Sequence, residues 1–208
     1  MIVASPLRLE PSAVLAVAFA GVRQQLGGVQ REFSRSLAAL DCAALLVRDT
    51  ESRWYQYGEA AAAALIGEIR AAAGQVGARR LVCLGNSMGG FGALYFGARL
   101  KADAILGFAA QTAIDPETTE ALGDRRWSEH QAAIPAYGFG DLAREPAAPG
   151  RVILCRGEHD LLDRAHADHL AAAWRVEQIV VPEAKHDVAA RLRERGELLP
   201  LLEQVIRG

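Results

Sequence analysis

Ser87 lies in Gly85-Asn86-Ser87-Met88-Gly89-Gly90, with one glycine two residues before it and another two after. A serine hydroxyl is a poor nucleophile near neutral pH. It needs a base to take its proton, and the base needs a carboxylate to fix its tautomer. Both residue types follow downstream: Asp160 in Arg156-Gly157-Glu158-His159-Asp160, and His186 in Lys185-His186-Asp187. Together they suit acyl chemistry, in which Ser87 attacks a carbonyl, His186 carries the proton and Asp160 orients the imidazole. Asp163 and Asp115 are alternative acids. Asp160 also reads as a helix N-cap, but Asp163 is the better-placed cap, which leaves Asp160 for the histidine.

An oxyanion hole needs two backbone donors. Met88 N–H, directly after the serine, is one. The second is expected in Ala20-Gly21-Val22-Arg23, where Val22 N–H is favoured and Gly21 is the alternative, with Gly27 and Gly28 keeping the loop open. Gly21, Trp54, Tyr55 and His159 are candidates for lining the substrate site. Trp54, Tyr55 and Tyr57 suit packing at the rim equally well. Arg125, Arg126 and Trp127 pose a similar choice: an arginine here meets an anionic substrate group, or pairs with Glu117, Glu120 or Asp124.

Other chemistries fit less well. His166 and His169 share a helix face with Asp163, but no thiolate or glutamate completes a metal set, so no metal is expected. The glycine-rich turn lacks G-x-G-x-x-G and G-K-[ST], which argues against a nucleotide site. Net charge is −2 with no long basic run, so neither nucleic acid nor an anionic membrane surface is an expected partner. Cys42, Cys83 and Cys155 lie in apolar runs and read as reduced core residues, which points to a cytoplasmic protein. The run Val14–Ala20 ends in Ala18-Phe19-Ala20, resembling a leader cleavage site. The preceding Arg8-Leu9-Glu10-Pro11 is wrong for a leader, so this run reads as a core strand.

The elements that position these residues alternate. Apolar runs predict strands at 14–20, 42–48, 80–86, 103–109, 151–156 and 177–182. Amphipathic or alanine-rich stretches predict helices at 30–40, 58–74, 88–100, 163–175 and 187–207, the last kinked or divided at Pro200. Continuous apolar strands between such helices imply a parallel sheet covered on both faces. One proline-rich, irregular stretch, 111–150, has room for a small cap.

Four segments resemble the α/β-hydrolase superfamily: Gly-Asn-Ser-Met-Gly-Gly at 85–90, Arg-Gly-Glu-His-Asp at 156–160, Lys-His-Asp at 185–187 and Phe-Ala-Gly-Val at 19–22. The resemblance implies one α/β domain over 1–208, with a mostly parallel central sheet of about six or seven strands and helices on both faces. The antiparallel strands that usually open such a sheet are expected to be reduced to residues 2–9 or lost, and the cap at 111–150 to be small. It also implies a Ser87–His186–Asp160 triad that needs no cofactor.

The expected activity is that of a serine hydrolase cleaving a small or short-acyl carboxylic ester. The lack of His-Gly-Gly-Gly after the first core strand argues against long-chain lipids. An acyltransferase or thioesterase would carry the same residues, and a non-catalytic binding protein on this fold is the reading of a different class. The partner is then a small-molecule or acylated substrate, and oligomeric state is left open.

Overall fold

The computed structural model describes residues 1–22 and 33–208. Seven strands form one sheet: β1 (Ile2–Arg8), β2 (Val14–Phe19), β3 (Ala43–Asp49), β4 (Arg80–Asn86), β5 (Ala104–Phe108), β6 (Arg151–Gly157) and β7 (Val176–Val181). Their spatial order is β1-β3-β2-β4-β5-β6-β7. All neighbours run parallel except β1, which pairs antiparallel with β3. The expected N-terminal reduction thus leaves one antiparallel edge strand. Its position explains why Pro6 is tolerated, since an edge residue need not donate to a ladder.

Successive side chains of a strand point to opposite faces, and this alternation builds two cores. Leu15, Val17, Phe19, Cys83 and Ile105 face one side. There they meet α2 (Gly58–Val76), α3 (Met88–Leu100) and α6 (Leu161–Ala171). Ala16, Ala18, Val82, Leu84 and Leu106 face the other side. They pack on α1 (Ser34–Ala38), α7 (Val188–Glu194) and α8 (Leu198–Arg207). The central strands β2, β4 and β5 are buried on both faces, which is why they read as solid apolar runs.

The C-terminal helical stretch divides, but not at Pro200. Gly196 adopts φ 73° after α7, Gly196 N–H bonds the Arg193 carbonyl, and Glu197 N–H bonds the Leu192 carbonyl. That pair of bonds is a Schellman C-cap, which ends one helix and redirects the chain. Pro200 falls in the first turn of α8, where a missing N–H breaks no helical bond. Residues 111–150 are less irregular than expected. They contain α4 (Pro116–Ala121), α5 (Ser128–Ala132) and a 3-10 turn at Leu142–Arg144. Within the expected helix at 30–40 the structure shows α1, entered through Phe33 at φ 60° and ended by Ala39 as its C-cap; Gln30, Arg31 and Glu32 lie outside the described residues.

Candidate active site

Ser87 is the hinge between β4 and α3. Its backbone sits at φ 55°, ψ −118°, a strained conformation for a non-glycine residue. The turn is held by Ser87 N–H on the Phe108 carbonyl at 2.9 Å and Phe91 N–H on the Ser87 carbonyl at 3.1 Å. Two glycines make it possible. A Cβ on Gly85 would lie 2.1 Å from the Gly89 carbonyl oxygen, and one on Gly89 would lie 2.1 Å from the Phe19 carbonyl oxygen. The second approach locks the first turn of α3 onto the end of β2. Met88 is the first residue of α3, so its N–H has no acceptor four residues back within the helix.

His186 lies between β7 and α7. Its Nε2 is 3.1 Å from Ser87 Oγ, and its Nδ1 is 2.9 Å from Asp163 Oδ1 and 3.0 Å from Asp163 Oδ2. An ionised carboxylate can only accept, so Nδ1 carries the hydrogen and Nε2 presents its lone pair to the serine hydroxyl. Asp163 is buried. Burial alone would raise its pKa, but the hydrogen bonds and charges of His186 and Arg126 together hold it below the usual carboxylate range.

The assignment of Asp160 to the histidine is corrected by this geometry, and the two aspartates exchange places. Asp160 is the N-cap of α6, and its Oδ1 accepts the Asp163 N–H at 2.9 Å. Asp163 lies in the first turn of that helix and turns inward onto His186. Asp115 is also a cap, accepting the Thr118 N–H at 3.0 Å at the start of α4.

Arg126, from the segment between α4 and α5, reaches the same carboxylate. Its Nη1 donates to Asp163 Oδ1 at 2.8 Å, while its Nε and Nη2 grip Asp124, with Nη2 at 2.7 Å from Asp124 Oδ2. Of the pairings weighed for this arginine, Asp124 is therefore the observed one. The additional contact with Asp163, 37 residues away, belongs to no sequence motif.

Trp54 and Tyr55 do not line an open site. Both are fully buried, with Trp54 Nε1 donating to Gln111 and Tyr55 Oη donating to the Ala20 carbonyl, each at 2.9 Å. They belong to a tight turn organised by Asp49, whose carboxylate accepts the N–H groups of Glu51, Arg53 and Tyr55 and the Tyr57 hydroxyl. His159 stands at the exposed rim beside Glu158. Gly21 is buried and Val22 half-buried at the end of β2, whereas Arg23, Gly27 and Gly28 lie outside the described residues.

His166 and His169 do not converge with Asp163 on a common point. His166 Nε2 meets Asp124 at 3.0 Å, and His169 Nε2 meets Asp141 at 2.8 Å. Among the described residues, the metal-capable side chains that do converge are Asp160, Asp163 and His186. Arg126 Nη1 lies within 3.8 Å of Asp160 and 2.8 Å of Asp163, so a guanidinium already occupies the place a cation would take. Burial pushes the thiols of Cys83 and Cys155 up to about 12, which leaves them unreactive in the folded chain. Among the described residues, no helix is long and apolar enough to cross a membrane.

A mostly parallel sheet with a strand–serine–helix turn at its centre has counterparts among solved structures. The Glycosylation Associate Protein complex from Streptococcus agalactiae matches over 98% of this chain at 16% identity and a TM-score of 0.66. The chain spans only 44% of that larger one. A lidless α/β serine hydrolase from Xanthomonas campestris matches over 100% of this chain and 89% of its own, at 14% identity and a TM-score of 0.59.

The chain has the α/β-hydrolase fold.

The capsule O-acetyltransferase of Neisseria meningitidis serogroup A is also similar. It shares 13% identity over 98% of this chain and 90% of its own, with a TM-score of 0.66. No protein-family model and no curated protein sequence matches the chain. The α/β-hydrolase fold accounts for the placement of the site: ligands bind at the carboxyl ends of parallel strands, and Ser87, Asp163 and His186 all follow such ends.

Proposed function

We propose that this protein is a serine hydrolase acting on a carboxylic ester with a small or short acyl group. The observation that carries the reading is the contact series Ser87 Oγ–His186 Nε2 at 3.1 Å and His186 Nδ1–Asp163 Oδ1 at 2.9 Å. In this reading Ser87 Oγ attacks the ester carbonyl while His186 Nε2 takes its proton. Asp163 stabilises the imidazolium so formed. Met88 N–H and Val22 N–H, with Gly21 N–H as the alternative, receive the developing oxyanion. His186 then gives the proton to the departing alkoxide, leaving an acyl-enzyme. Water, deprotonated by the same histidine, attacks that acyl carbon, and the carboxylic acid leaves as Ser87 recovers its proton.

A fluorophosphonate probe read by intact mass tests this. Covalent labelling of the wild type that vanishes in Ser87→Ala and His186→Ala supports the activated serine. Equal labelling of wild type and Ser87→Ala would sink it, and a folded wild type that does not label would favour a binding protein on this fold.

A second reading keeps the acyl-enzyme and replaces water by an alcohol acceptor. It is favoured by the 31% exposure of the His186 side chain, which leaves room for a larger acceptor, and by the likeness to a capsule O-acetyltransferase. Product analysis with an acyl donor and added sugar or simple alcohol separates the two. Acylated alcohol as the main product supports transfer, and free acid alone supports hydrolysis.

A further inference from the structure

We propose that Arg126, held in place by Asp124, is a positioning residue for the acid Asp163, so that the segment between β5 and β6 completes the catalytic machinery. The inference rests on the reading of Ser87, His186 and Asp163 as a triad. Asp163 Oδ1 accepts from both His186 Nδ1 at 2.9 Å and Arg126 Nη1 at 2.8 Å. Two donors on one oxygen fix the rotation of the carboxylate. His186 Nδ1 and Arg126 Nη1 come within 3.1 Å of each other. Both are donors, so this is no hydrogen bond; it follows from their sharing one acceptor.

The other edge of the guanidinium is equally constrained. Arg126 Nε lies 3.0 Å from Asp124 Oδ1, and Nη2 lies 2.7 Å from Asp124 Oδ2. Asp124 is itself gripped from behind by the fully buried His166, whose Nε2 is 3.0 Å from Asp124 Oδ2. His166 Nδ1 accepts the Thr112 N–H at 3.1 Å, so Nε2 is the nitrogen that carries the hydrogen and donates to Asp124. His166 and Asp163 sit three residues apart on one face of α6. The chain of contacts therefore runs from Thr112 through His166, Asp124, Arg126, Asp163 and His186 to Ser87. Its far end sits four residues beyond Phe108, whose carbonyl holds the Ser87 N–H. The network closes on the segment that supports the nucleophile.

Only a planar fork can serve both carboxylates at once. A lysine ammonium, as a point charge on a flexible stem, cannot reproduce both edges. Removing Arg126 alone would strand the buried Asp124 as a charge, so the informative variant is the double change Asp124→Asn with Arg126→Gln. Wild type, this double variant, Arg126→Lys and the Ser87→Ala control are compared. The readouts are the fluorophosphonate labelling rate, kcat and KM on a neutral short-acyl ester and an anionic one, thermal melting, and the low-field proton resonance of His186 Nδ1–H.

The expected result for the double variant is a labelling rate lower by about tenfold to a hundredfold, as for a small misplacement of a catalytic group. kcat falls with KM unchanged on both esters, and the His186 resonance moves upfield or broadens. Arg126→Lys recovers only part of the rate. A folded double variant with wild-type labelling and resonance overturns the inference and leaves the triad reading intact. A rise in KM confined to the anionic ester also overturns it, by making Arg126 a substrate contact. Should the wild type not label, the triad reading fails, and an unchanged His186 resonance in the double variant then overturns the positioning role as well. If the double variant does not fold, Arg126→Lys carries the same comparison, with full wild-type rate and resonance as the overturning result.

Discussion

Asp160 caps the helix that delivers Asp163: its Oδ1 accepts the Asp163 N–H at 2.9 Å, and Asp163 in turn meets His186 Nδ1 at 2.9 Å. The two carboxylates are close in sequence but differ in environment. The Asp163 side chain is 1% exposed and that of Asp160 is 15% exposed. One is buried against the ring of His186, and the other satisfies a half-buried helix terminus. This division makes their substitutions separable.

Asp163→Asn leaves the shape intact but lets the amide favour the wrong imidazole tautomer. Activity is expected to fall by about 10⁴-fold with folding preserved. Asp160→Ala removes a cap, costing about 1 kcal/mol and roughly 2–4 °C of melting temperature, while most activity is retained. Steady-state kinetics and thermal melts on the two variants check this, and the opposite pattern would restore Asp160 as the acid.

Gly89→Ala is expected to destabilise the protein by about 3 kcal/mol or more, because overpacking here falls on backbone that cannot give way. The added Cβ would stand 2.1 Å from the Phe19 carbonyl oxygen, in the middle of the sheet. Denaturant titration measures the loss. A stability within error of wild type would show that α3 is not locked onto β2 as described.

Tyr55→Phe keeps the ring packed against Phe19 and Phe96 and removes the hydroxyl on the Ala20 carbonyl. A buried acceptor left without that donor costs about 1–3 kcal/mol. The Ala20 carbonyl belongs to the peptide that leads into Gly21 and Val22. If these supply an oxyanion donor, kcat falls along with stability. Loss of stability with kcat unchanged would show that Tyr55 does not act through Gly21 and Val22.

Acid stability follows from Asp163 and Asp124. Burial would raise the pKa of each. For Asp163 the contacts with His186 and Arg126 override burial, and for Asp124 those with His166 and Arg126 do, so both end below the ordinary carboxylate value. Depressed folded-state values mean that the unfolded chain binds more protons in the window between the two states. Each group therefore contributes stability that is complete above the unfolded value of about 4 and is lost as pH falls through the folded value. Chemical denaturation at pH 7, 5 and 3 should show the steepest loss at the acid end, reduced in Asp124→Asn with Arg126→Gln. An equal acid loss in that variant would remove Asp124 from the account.

The turn at Ser87 and the order of elements are legible in the amino-acid sequence because both are local. A strained serine between β4 and α3 requires glycines at fixed offsets, and strands buried on both faces must be continuously apolar. By the same logic β1 is harder to read: as a half-exposed edge strand carrying Pro6, it has little of that apolar signal. The division of 187–207 at Gly196 was open to misreading, since a glycine and a proline both interrupt helices and only the φ of 73° shows which one does.

Tertiary structure alone decides which aspartate meets His186. Asp160 and Asp163 share the start of α6, and their contacts depend on which side chain the first turn rotates inward, a choice set by the packing of α6 against β6 and β7. The same holds for Trp54 and Tyr55, whose aromatic character suits a pocket or a core equally and which the turn around Asp49 commits to the core. Arg126 is the extreme case, because a contact across 37 residues leaves no periodicity to read. What the sequence by itself determined was the local geometry of the serine, the alternation of elements and, through the order of motifs, the histidine that meets Ser87; what only the folded chain decided was which aspartate meets that histidine and what Arg126 holds, because such pairing depends on where side chains from distant segments come to rest.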